Sequence, residues 1–323
     1  MVSELSDEAK EGYLRRHIAR EYGVSVTESQ QLERGVYALT LADGRRWVSR
    51  IFTERRPLAQ TEADAEVLRR LAALDFPAER LADARPVTAL QGRAILVTDY
   101  IAGARPEKSV ELLRAYGALL GRLHAFPAEA SADLPAAGAL HHYIPQGGGP
   151  EAQLDAASRW LDSVADKVPA DRKDLYDNLR AQLATADRCQ DLPQALIHPD
   201  PVLANLLQPE SGELTLIDWS GAGRGPRLAG LALLLWVGGL NEGGWSPDYV
   251  DGAVAGYREC IQPTDDELAR LAAVMRIRPL VHACNIYRRA LNGGKSPTGN
   301  EWWWPDDALV DAISGHARSA FAH

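Results

Sequence analysis

The sequence predicts an α+β protein with two lobes, the first small and rich in antiparallel strands, the second larger and mostly helical. The chain has 323 residues, which is enough for two lobes and a sizeable core. Its first hundred residues contain short β-rich runs separated by turn signals, and the pattern beyond them is mostly helical. We expect the lobes to span residues 1–102 and 103–323.

The first lobe begins with a predicted helix that Ser6 caps and that ends near Gly23. Two β-rich runs follow, at residues 36–41 and 47–52. The dipeptide between them, DG at 43–44, is a strong signal for a hairpin turn. An antiparallel pair of strands is therefore expected directly after the first helix.

A second helix and two further strands complete the predicted first lobe. The helix is expected at residues 60–74, where apolar side chains share one face. The strands are expected at 84–90 and 92–100, with a Gln-Gly turn between them. The segment at 100–106, YIAGARP, contains helix- and strand-breaking residues and is predicted to connect the two lobes.

The second lobe has helical patterns with clear boundaries. Ser109 is expected to cap a helix that Pro127 ends. The QGGGP segment at 146–150 is predicted to be a loop, and the absence of a preceding strand and a following Lys-Ser/Thr excludes a Walker-type phosphate loop. The apolar run at 228–240 is too short to span a bilayer and is predicted to be a buried helix.

The composition limits which binding partners and which cellular compartment are expected. A formal charge of −9 argues against a nucleic-acid binder, which normally has a basic face. Three cysteines in neither a C-x-x-C pair nor an even set predict no disulfide framework or structural zinc site. The charged, amphipathic N-terminus does not resemble a signal peptide. We expect a cytoplasmic protein, a monomer or homodimer, without a membrane or nucleic-acid partner.

The stretch LIHPDPVLANLL at residues 196–207 places polar residues in the path of an apolar run. A strand leads into it, a second strand leaves after Asn205, and ELTLID at 213–218 is predicted to return after the PESG turn. This hairpin would set Asn205 roughly opposite Asp218, with Asp200 on the loop before it. An amide and a carboxylate suit Mg²⁺, and a further carboxylate can accept a hydroxyl proton.

Each of these residues alone is better explained as part of a turn or strand end. The ordered set H-x-D-x-x-x-x-N, followed by a hairpin and I-D-W, instead indicates phosphoryl transfer to an alcohol. Together with LLGRLHAFP at 119–127, it resembles the signature of the aminoglycoside phosphotransferase and choline kinase-like family, which has the protein-kinase fold. The resemblance covers most of the chain.

The resemblance implies ATP and Mg²⁺ as cofactors and gives each residue of the set a role. Asp200 would orient and deprotonate the acceptor hydroxyl, and His198 would support this catalytic loop. Asn205 and Asp218 would hold Mg²⁺ against the ATP phosphates. Gly230 stands where relatives commonly have an acidic residue, which implies that a hydrogen bond supporting the loop is replaced or missing.

The same resemblance implies a nucleotide site in the first lobe. Arg50 would contact the α- and β-phosphates, and Asp64 would pair with it, with Glu62 and Glu66 as the alternatives. Gly35 would lie in the loop that covers the phosphates, where relatives often have two glycines.

The adenine would be bound by the backbone of the connector. The carbonyl group of Asp99 and the N–H group of Ile101 would face the base, and Thr98 would flank its pocket. Backbone contacts tolerate almost any side chain, so the sequence signal for them is faint.

Two segments combine acidic and aromatic residues that would suit a cationic acceptor. The predicted acceptor pocket contains Glu242 and Trp245 from one segment and Glu301 and Trp303 from the other. Core packing and solvated loops explain these residues equally well. The acceptor is therefore expected to be an aminoglycoside-like or other cationic antibiotic, with choline or homoserine as the alternative.

Two other functions remain as alternatives at this stage. A nucleotide-binding pseudokinase scaffold would explain the single glycine in the covering loop and the uncertain partner of Arg50. A zinc hydrolase using His198 and Asp200 is disfavoured because the eight histidines have no H-x-x-x-H or H-E-x-x-H spacing. GTP instead of ATP as the donor also remains open.

Overall fold

The computed structural model describes residues 7–210, 212–293 and 306–323. The chain forms two compact units, each described separately below. The first unit comprises the chain up to Ala104 together with Leu207–Ser220, and the second comprises Arg105–Leu206 and Gly221–His323. The division by sequence had placed the hairpin after Asn205 in the second lobe, whereas its residues from Leu207 onward pack in the first unit.

The elements up to the first crossing between units are α1 (Asp7–Tyr22), β1 (Val26–Glu33), β2 (Val36–Leu41), β3 (Arg46–Ile51), α2 (Leu58–Ala73), β4 (Val87–Leu90), β5 (Arg93–Asp99) and β6 (Gly103–Ala104). The later elements are α3 (Val110–His124), α4 (Pro150–Asp162), α5 (Lys173–Thr185), β7 (Gln194–Ile197), β8 (Leu206–Pro209), β9 (Thr215–Leu216), β10 (Gly223–Pro226), α6 (Arg227–Gly239), β11 (Leu240–Asn241), β12 (Gly244–Trp245), α7 (Pro247–Arg258), α8 (Asp265–Met275), α9 (Ile277–Leu291) and α10 (Asp307–Ala322).

The described part of the first unit contains a five-stranded antiparallel sheet in the order β1-β2-β3-β5-β4. The predicted hairpin is confirmed as β2 and β3, and Gly44 in its turn has the positive φ of +86° that glycine readily adopts. The predicted second helix and the two following strands are confirmed as α2, β4 and β5. Helix α1 packs against the sheet through a core of Leu14, Ile18, Val26, Tyr37, Leu39, Leu41, Trp47, Ile95 and Val97.

Strand β1 has no counterpart among the β-rich runs recognised in the sequence. It is an edge strand, and apart from Val26 its side chains are exposed or half-buried. An edge strand with polar side chains lacks the alternation of apolar and polar residues from which strands are predicted. Its backbone pairing with β2 therefore determines its conformation.

A small sheet in the order β6-β8-β9 carries the segment that leads to Asp218. The predicted return strand at 213–218 is shorter in the structure, where only Thr215–Leu216 is extended and paired. Leu216 also donates its N–H to the carbonyl of Pro77 at 3.0 Å. Trp219 is buried, donates Nε1–H to the Leu216 carbonyl at 2.8 Å and packs edge-on against Phe76. These contacts fix the backbone on both sides of Asp218.

The second unit is built from helices around a buried α6, which confirms the prediction of an apolar core helix. The predicted cap of α3 is confirmed, because Ser109 Oγ accepts a hydrogen bond from the N–H of Leu112. Strands β7 and β10 form an antiparallel pair, and β7 ends at Ile197, directly before the loop at residues 198–205.

Helices α3 and α7 contact each other through glycines. Gly117 and Gly121 lie on α3, and Gly252 and Gly256 lie on α7. A Cβ added at Gly256 would overlap the carbonyl oxygen of Arg114, and one at Gly117 would overlap that of Ala253. The two backbones therefore approach more closely than any larger residue allows.

His124, at the end of α3, occupies a dry environment beside Gly230 of α6. Its Nδ1 lies 2.9 Å from the hydroxyl oxygen of Tyr257, and its Nε2 has no hydrogen-bond partner among the described residues. A Cβ at Gly230 would lie only 3.0 Å from the imidazole ring. The ring thus occupies the space that a larger residue at position 230 would need. Burial, together with the charge of Arg227, lowers the pKa of His124 to about 3.

This lowered pKa predicts a loss of stability in mild acid. Below pH 6.5 the unfolded chain binds a proton at His124 that the folded chain does not bind until the pH approaches 3. The free energy of unfolding should therefore fall as the pH decreases through this window, by about 2 kcal/mol from His124 alone at pH 5.

Urea unfolding of wild type and His124→Gln at pH 7 and pH 5 checks this expectation. The variant should lose less stability between the two pH values than the wild type, whatever its stability at pH 7. Equal losses in both proteins would show that His124 does not contribute the effect.

Candidate functional site

The loop at residues 198–205, predicted to be the catalytic loop, is held by hydrogen bonds to its own backbone. Asp200 donates its N–H to Nδ1 of His198 at 3.1 Å. The carbonyl oxygen of Asp200 accepts from the N–H of Val202 at 2.8 Å and from Nδ2 of Asn205 at 2.9 Å. The structure therefore brings His198, Asp200 and Asn205 together in one loop.

These bonds determine which atoms of Asn205 and His198 can do chemistry. The amide nitrogen of Asn205 donates its hydrogen bond to the Asp200 carbonyl. The amide oxygen Oδ1 is therefore the atom of this side chain that can bind a metal ion through its lone pairs. His198 is buried and accepts through Nδ1, so its neutral ring carries the hydrogen on Nε2. This geometry agrees with a supporting role for His198.

Arg278 of α9 anchors the peptide before Asp200 and was not identified from the sequence. It is buried and donates from Nη2 to the carbonyls of Pro199 at 2.6 Å and Gly138 at 3.0 Å. Burial lowers the pKa of Arg278, and the negative charge of Asp200 opposes this change. The sequence did contain a signal for Arg278, because it is a charged residue on the buried face of an amphipathic helix.

Asp218 and Arg50 lie together in the first unit. Nη1 of Arg50 is 3.2 Å from Oδ1 of Asp218. Burial disfavours the charge of Arg50, but the attraction of Asp218, Glu79 and other carboxylates outweighs it and raises the pKa of the guanidinium group. Asp218 has a φ of +67°, which is uncommon for a residue other than glycine. A strained backbone at this position is typical of a functional site.

Glu79 is a further member of this cluster that the sequence did not reveal. It is buried, and its carboxylate accepts a hydrogen bond from the backbone N–H of Asp218. Burial raises the pKa of Glu79 to about 7, with the nearby Asp218 adding to the rise and Arg50 opposing it. Glu79 lies between α2 and β4 in a segment without periodicity, so no pattern distinguished it from a surface glutamate.

Asp64 forms a buried ion pair with Arg56, a residue that the sequence analysis did not select. Its charge also contributes to raising the pKa of Arg50, which forms its ion pair with Asp218. Of the alternatives to Asp64, Glu66 pairs with Arg70 at 2.9 Å and Glu62 is exposed.

Gly35 forms the turn between β1 and β2 in a conformation that requires glycine. Its φ is +79°, and an added Cβ would lie 2.8 Å from the carbonyl oxygen of Ile51. Thr98 is buried in β5, and the N–H of Asp99 bonds to the carbonyl of Arg80 at 2.8 Å. Ile101 follows in the connector outside the regular strands.

The predicted acceptor residues are only partly described. Trp245 is half-buried in β12, with its ring 5.4 Å from that of His316, and Glu242 is exposed between β11 and β12. Glu301 and Trp303 lie outside the described residues. In the described chain, no helix combines the length and apolar character needed to cross a bilayer.

The five-stranded sheet, with α2 inserted between β3 and β4, and the loop that links Asp200 to Asn205 are the features of a small-molecule kinase with an alcohol group as acceptor. Residues 27–273 match the sequence model of the phosphotransferase enzyme family (APH), and the chain belongs to this family. No curated protein sequence matches the chain significantly.

Solved structures with similar folds share little sequence with this chain. An aminoglycoside phosphotransferase from Alicyclobacillus acidocaldarius has a TM-score of 0.60 at 17% identity, covering 95% of this chain and 93% of its own. The amicoumacin kinase hAmiN has a TM-score of 0.60 at 16% identity, covering 98% and 96%. The choline kinase LicA from Streptococcus pneumoniae has a TM-score of 0.56 at 14% identity, covering 97% and 99%.

Proposed function

We propose that this protein transfers the γ-phosphoryl group of ATP to a hydroxyl group of a small molecule, with Mg²⁺ as cofactor. The observation that carries the proposal is the hydrogen bond from the Asn205 amide to the Asp200 carbonyl. It couples the orientation of a metal-binding oxygen to the position of the catalytic carboxylate. Such positioning is the main contribution that a protein makes to phosphoryl transfer.

Each residue has a defined task in this reaction. Asp200 accepts the proton of the acceptor hydroxyl. The hydroxyl oxygen forms a bond to the γ-phosphorus while the bond between that phosphorus and ADP breaks. Asn205, through Oδ1, and Asp218 would hold Mg²⁺, which supplies charge neutralisation at the phosphates when bound. Arg50 donates to phosphate oxygens, and Glu79 supports the backbone of Asp218.

Nucleotides and divalent ions in related structures support this assignment by analogy. The amicoumacin kinase was solved with AMP-PNP and Ca²⁺, and a spectinomycin phosphotransferase was solved with ADP. The first is a kinase of amicoumacin, the second is a phosphotransferase of spectinomycin, and LicA is a choline kinase. Resistance to a cationic antibiotic remains a prediction for this chain, as does the alternative of choline or homoserine.

One observation favours a second candidate, a nucleotide-binding protein without transferase activity. Arg50 and Asp218, which would bind phosphate and metal, are engaged with each other. A catalytic cycle has to exchange this ion pair for contacts to Mg-ATP. A pseudokinase would bind the nucleotide without passing the phosphoryl group on.

Nucleotide consumption with hydroxylated compounds distinguishes the two candidates. The purified protein is incubated with ATP, MgCl₂ and a panel of amino-alcohols, antibiotics, sugars and hydroxy acids. We expect ADP release that depends on one class of acceptor, with a product that has gained one phosphoryl group by mass spectrometry. Stabilisation by Mg-ATP without consumption for any acceptor would instead support the pseudokinase.

Replacement of Asp218 by asparagine should weaken the binding of Mg-ATP by at least about tenfold. Asparagine tolerates a positive φ, so the turn is retained while the metal-binding charge is removed. Saturating Mg-ATP should raise the melting temperature of the wild type and raise that of the variant much less.

Glu210→Gln is the matched control for Asp218→Asn, because Glu210 is exposed in the same hairpin and has no assigned role. This control should respond to Mg-ATP as the wild type does. An undiminished response of Asp218→Asn would contradict the assignment of Asp218 as a metal ligand.

A further inference from the structure

A chain of hydrogen bonds in the second unit fixes the orientation of His282 on α9. Arg288 donates from Nη2 to Oδ1 of Asn285 at 2.9 Å, so the amide nitrogen of Asn285 is available to bond to Tyr143. The hydroxyl oxygen of Tyr143 lies 2.5 Å from Nδ1 of His282. Arginine can only donate, and the Tyr143 hydroxyl can accept from Asn285 while it donates to Nδ1 of His282, an arrangement in which Nε2 of His282 carries the hydrogen.

Two of these hydrogen-bonded residues, His282 and Asn285, belong to a stripe on one face of α9 that also carries Arg278, the residue that anchors the loop before Asp200. Arg278, His282, Asn285 and Arg289 are spaced by four, three and four residues, which places them on one face of α9. Arg278 at the start of this stripe bonds to the Pro199 carbonyl, next to Asp200. The stripe therefore extends along α9 from the peptide that precedes the proposed catalytic base.

Aromatic rings lie beside this stripe. The rings of His142 and Tyr143 are 4.4 Å apart, and Tyr143 lies 6.3 Å from Trp160 of α4. The guanidinium group of Arg288 lies over the Trp160 ring at 5.4 Å. Tyr143, Trp160 and His282 are half-buried, whereas His142 and Arg289 are exposed. The surface thus offers ring faces beside nitrogen donors.

The charges that act on this surface are mostly positive. Among the described residues that act most strongly on Tyr143 are the positive charges of Arg278 and Arg289 and the carboxylate of Asp200. His282 is influenced by Arg278, Arg289 and His142, and burial together with these groups lowers its pKa to about 4. His282 is therefore neutral at pH 7 and donates a hydrogen bond without a charge, while the two arginines supply the positive charge.

We propose that the surface formed by His142, Tyr143, Trp160, His282 and Arg289 binds the acceptor, and that the acceptor is an alcohol carrying an acidic group and a flat ring. The inference rests on the proposed function, because it takes Asp200 as the base that receives the hydroxyl proton. The acidic group pairs with Arg289 and the Nε2–H group of His282, and the ring packs against Tyr143 and Trp160.

This class differs from the cationic acceptor predicted from the acidic and aromatic segments of the sequence. A cation on this surface would be repelled by Arg278 and Arg289, and would have only the catalytic Asp200 as a carboxylate partner among the groups that act on Tyr143 and His282. Such a pairing would also compete with the role of Asp200 as a proton acceptor.

Three phenyl-bearing alcohols of different charge test the proposal. They are 3-phenyllactate, which is anionic, 3-phenylpropane-1,2-diol, which is neutral, and phenylalaninol, which is cationic, and each carries a ring and an alcohol. Binding is measured by saturation-transfer difference NMR, and phosphorylation by ADP release with Mg-ATP. The variant Arg289→Glu reverses the charge, and Arg159→Glu is the matched control, an exposed arginine on α4 outside the surface.

We expect 3-phenyllactate to bind and react better than the diol, and phenylalaninol to be the poorest. Arg289→Glu should reduce the preference for 3-phenyllactate over phenylalaninol by roughly tenfold or more, and Arg159→Glu should leave it unchanged. Equal or better use of phenylalaninol, no detectable binding of 3-phenyllactate, or an unchanged preference in Arg289→Glu would overturn the proposal.

The two readouts separate this proposal from the proposed function. If 3-phenyllactate binds with the expected dependence on Arg289 but ADP is not released, the acidic-ligand surface stands and the kinase function fails. If ADP is released with phenylalaninol in preference, the kinase function stands and the acceptor class proposed here fails.

Discussion

The Asp200→Asn variant is expected to lose turnover by a factor of about 10²–10⁴ while binding Mg-ATP as the wild type does. Asparagine has nearly the shape of aspartate but cannot accept the proton of the acceptor hydroxyl. The loop should persist in this variant, because Asp200 is bound to His198, Val202 and Asn205 through its backbone atoms. The loss should therefore reflect chemistry and not misfolding.

Initial rates of ADP release, measured with the acceptor found by screening, check this expectation. The melting temperature with and without Mg-ATP is measured in parallel, and it should rise equally in variant and wild type. A decrease in kcat without an increase in KM for ATP is the expected pattern. Near wild-type turnover in Asp200→Asn would remove Asp200 from its role as the base.

The Gly256→Ala substitution is expected to lower the free energy of unfolding by at least about 3 kcal/mol. The added methyl group would overlap the backbone carbonyl of Arg114 on α3, and no side-chain rotation can relieve an overlap with a backbone atom. Helices α3 and α7 would have to move apart, which exposes apolar surface along their whole contact.

Gly315→Ala provides the matched control, because Gly315 lies in α10 and an added Cβ there meets no atom within 4 Å. Alanine is the better helix former, so this variant should be as stable as the wild type or more stable by up to about 1 kcal/mol. Urea unfolding of both variants gives the comparison. Similar stabilities of Gly256→Ala and the wild type would show that the two helices are not held at the distance described.

Most of the fold could be predicted because its elements carry local signals. The DG turn predicted the β2–β3 hairpin, Ser109 predicted the start of α3, and the apolar run at 228–240 predicted buried α6. Strand β1 escaped prediction because its side chains are mostly polar and its conformation depends on pairing with β2. Elements that depend on a partner strand leave little trace in their own sequence.

The residues of the candidate site also divide into those that the sequence revealed and those that it did not. Residues in the loop around Asp200 could be selected because their order and spacing are characteristic. Glu79 and Arg278 were not selected, because their importance lies in burial and in partners distant along the chain, and Arg56 was not selected because its importance lies in its burial beside Asp64. Arg50 was selected through the family resemblance, but its ion pair with Asp218 was not, because that pair joins residues more than 160 positions apart. Charge compensation inside a protein is a property of the folded arrangement.

The left-handed backbone at Asp218 has a consequence for how this protein can change. A glycine there would relieve the steric cost of the positive φ and remove the carboxylate at the same time. For stability, relief of this backbone strain is set against loss of the ion pair with Arg50, whereas the proposed catalysis requires the carboxylate. Laboratory evolution of hardier variants would need an activity screen to keep this residue in place.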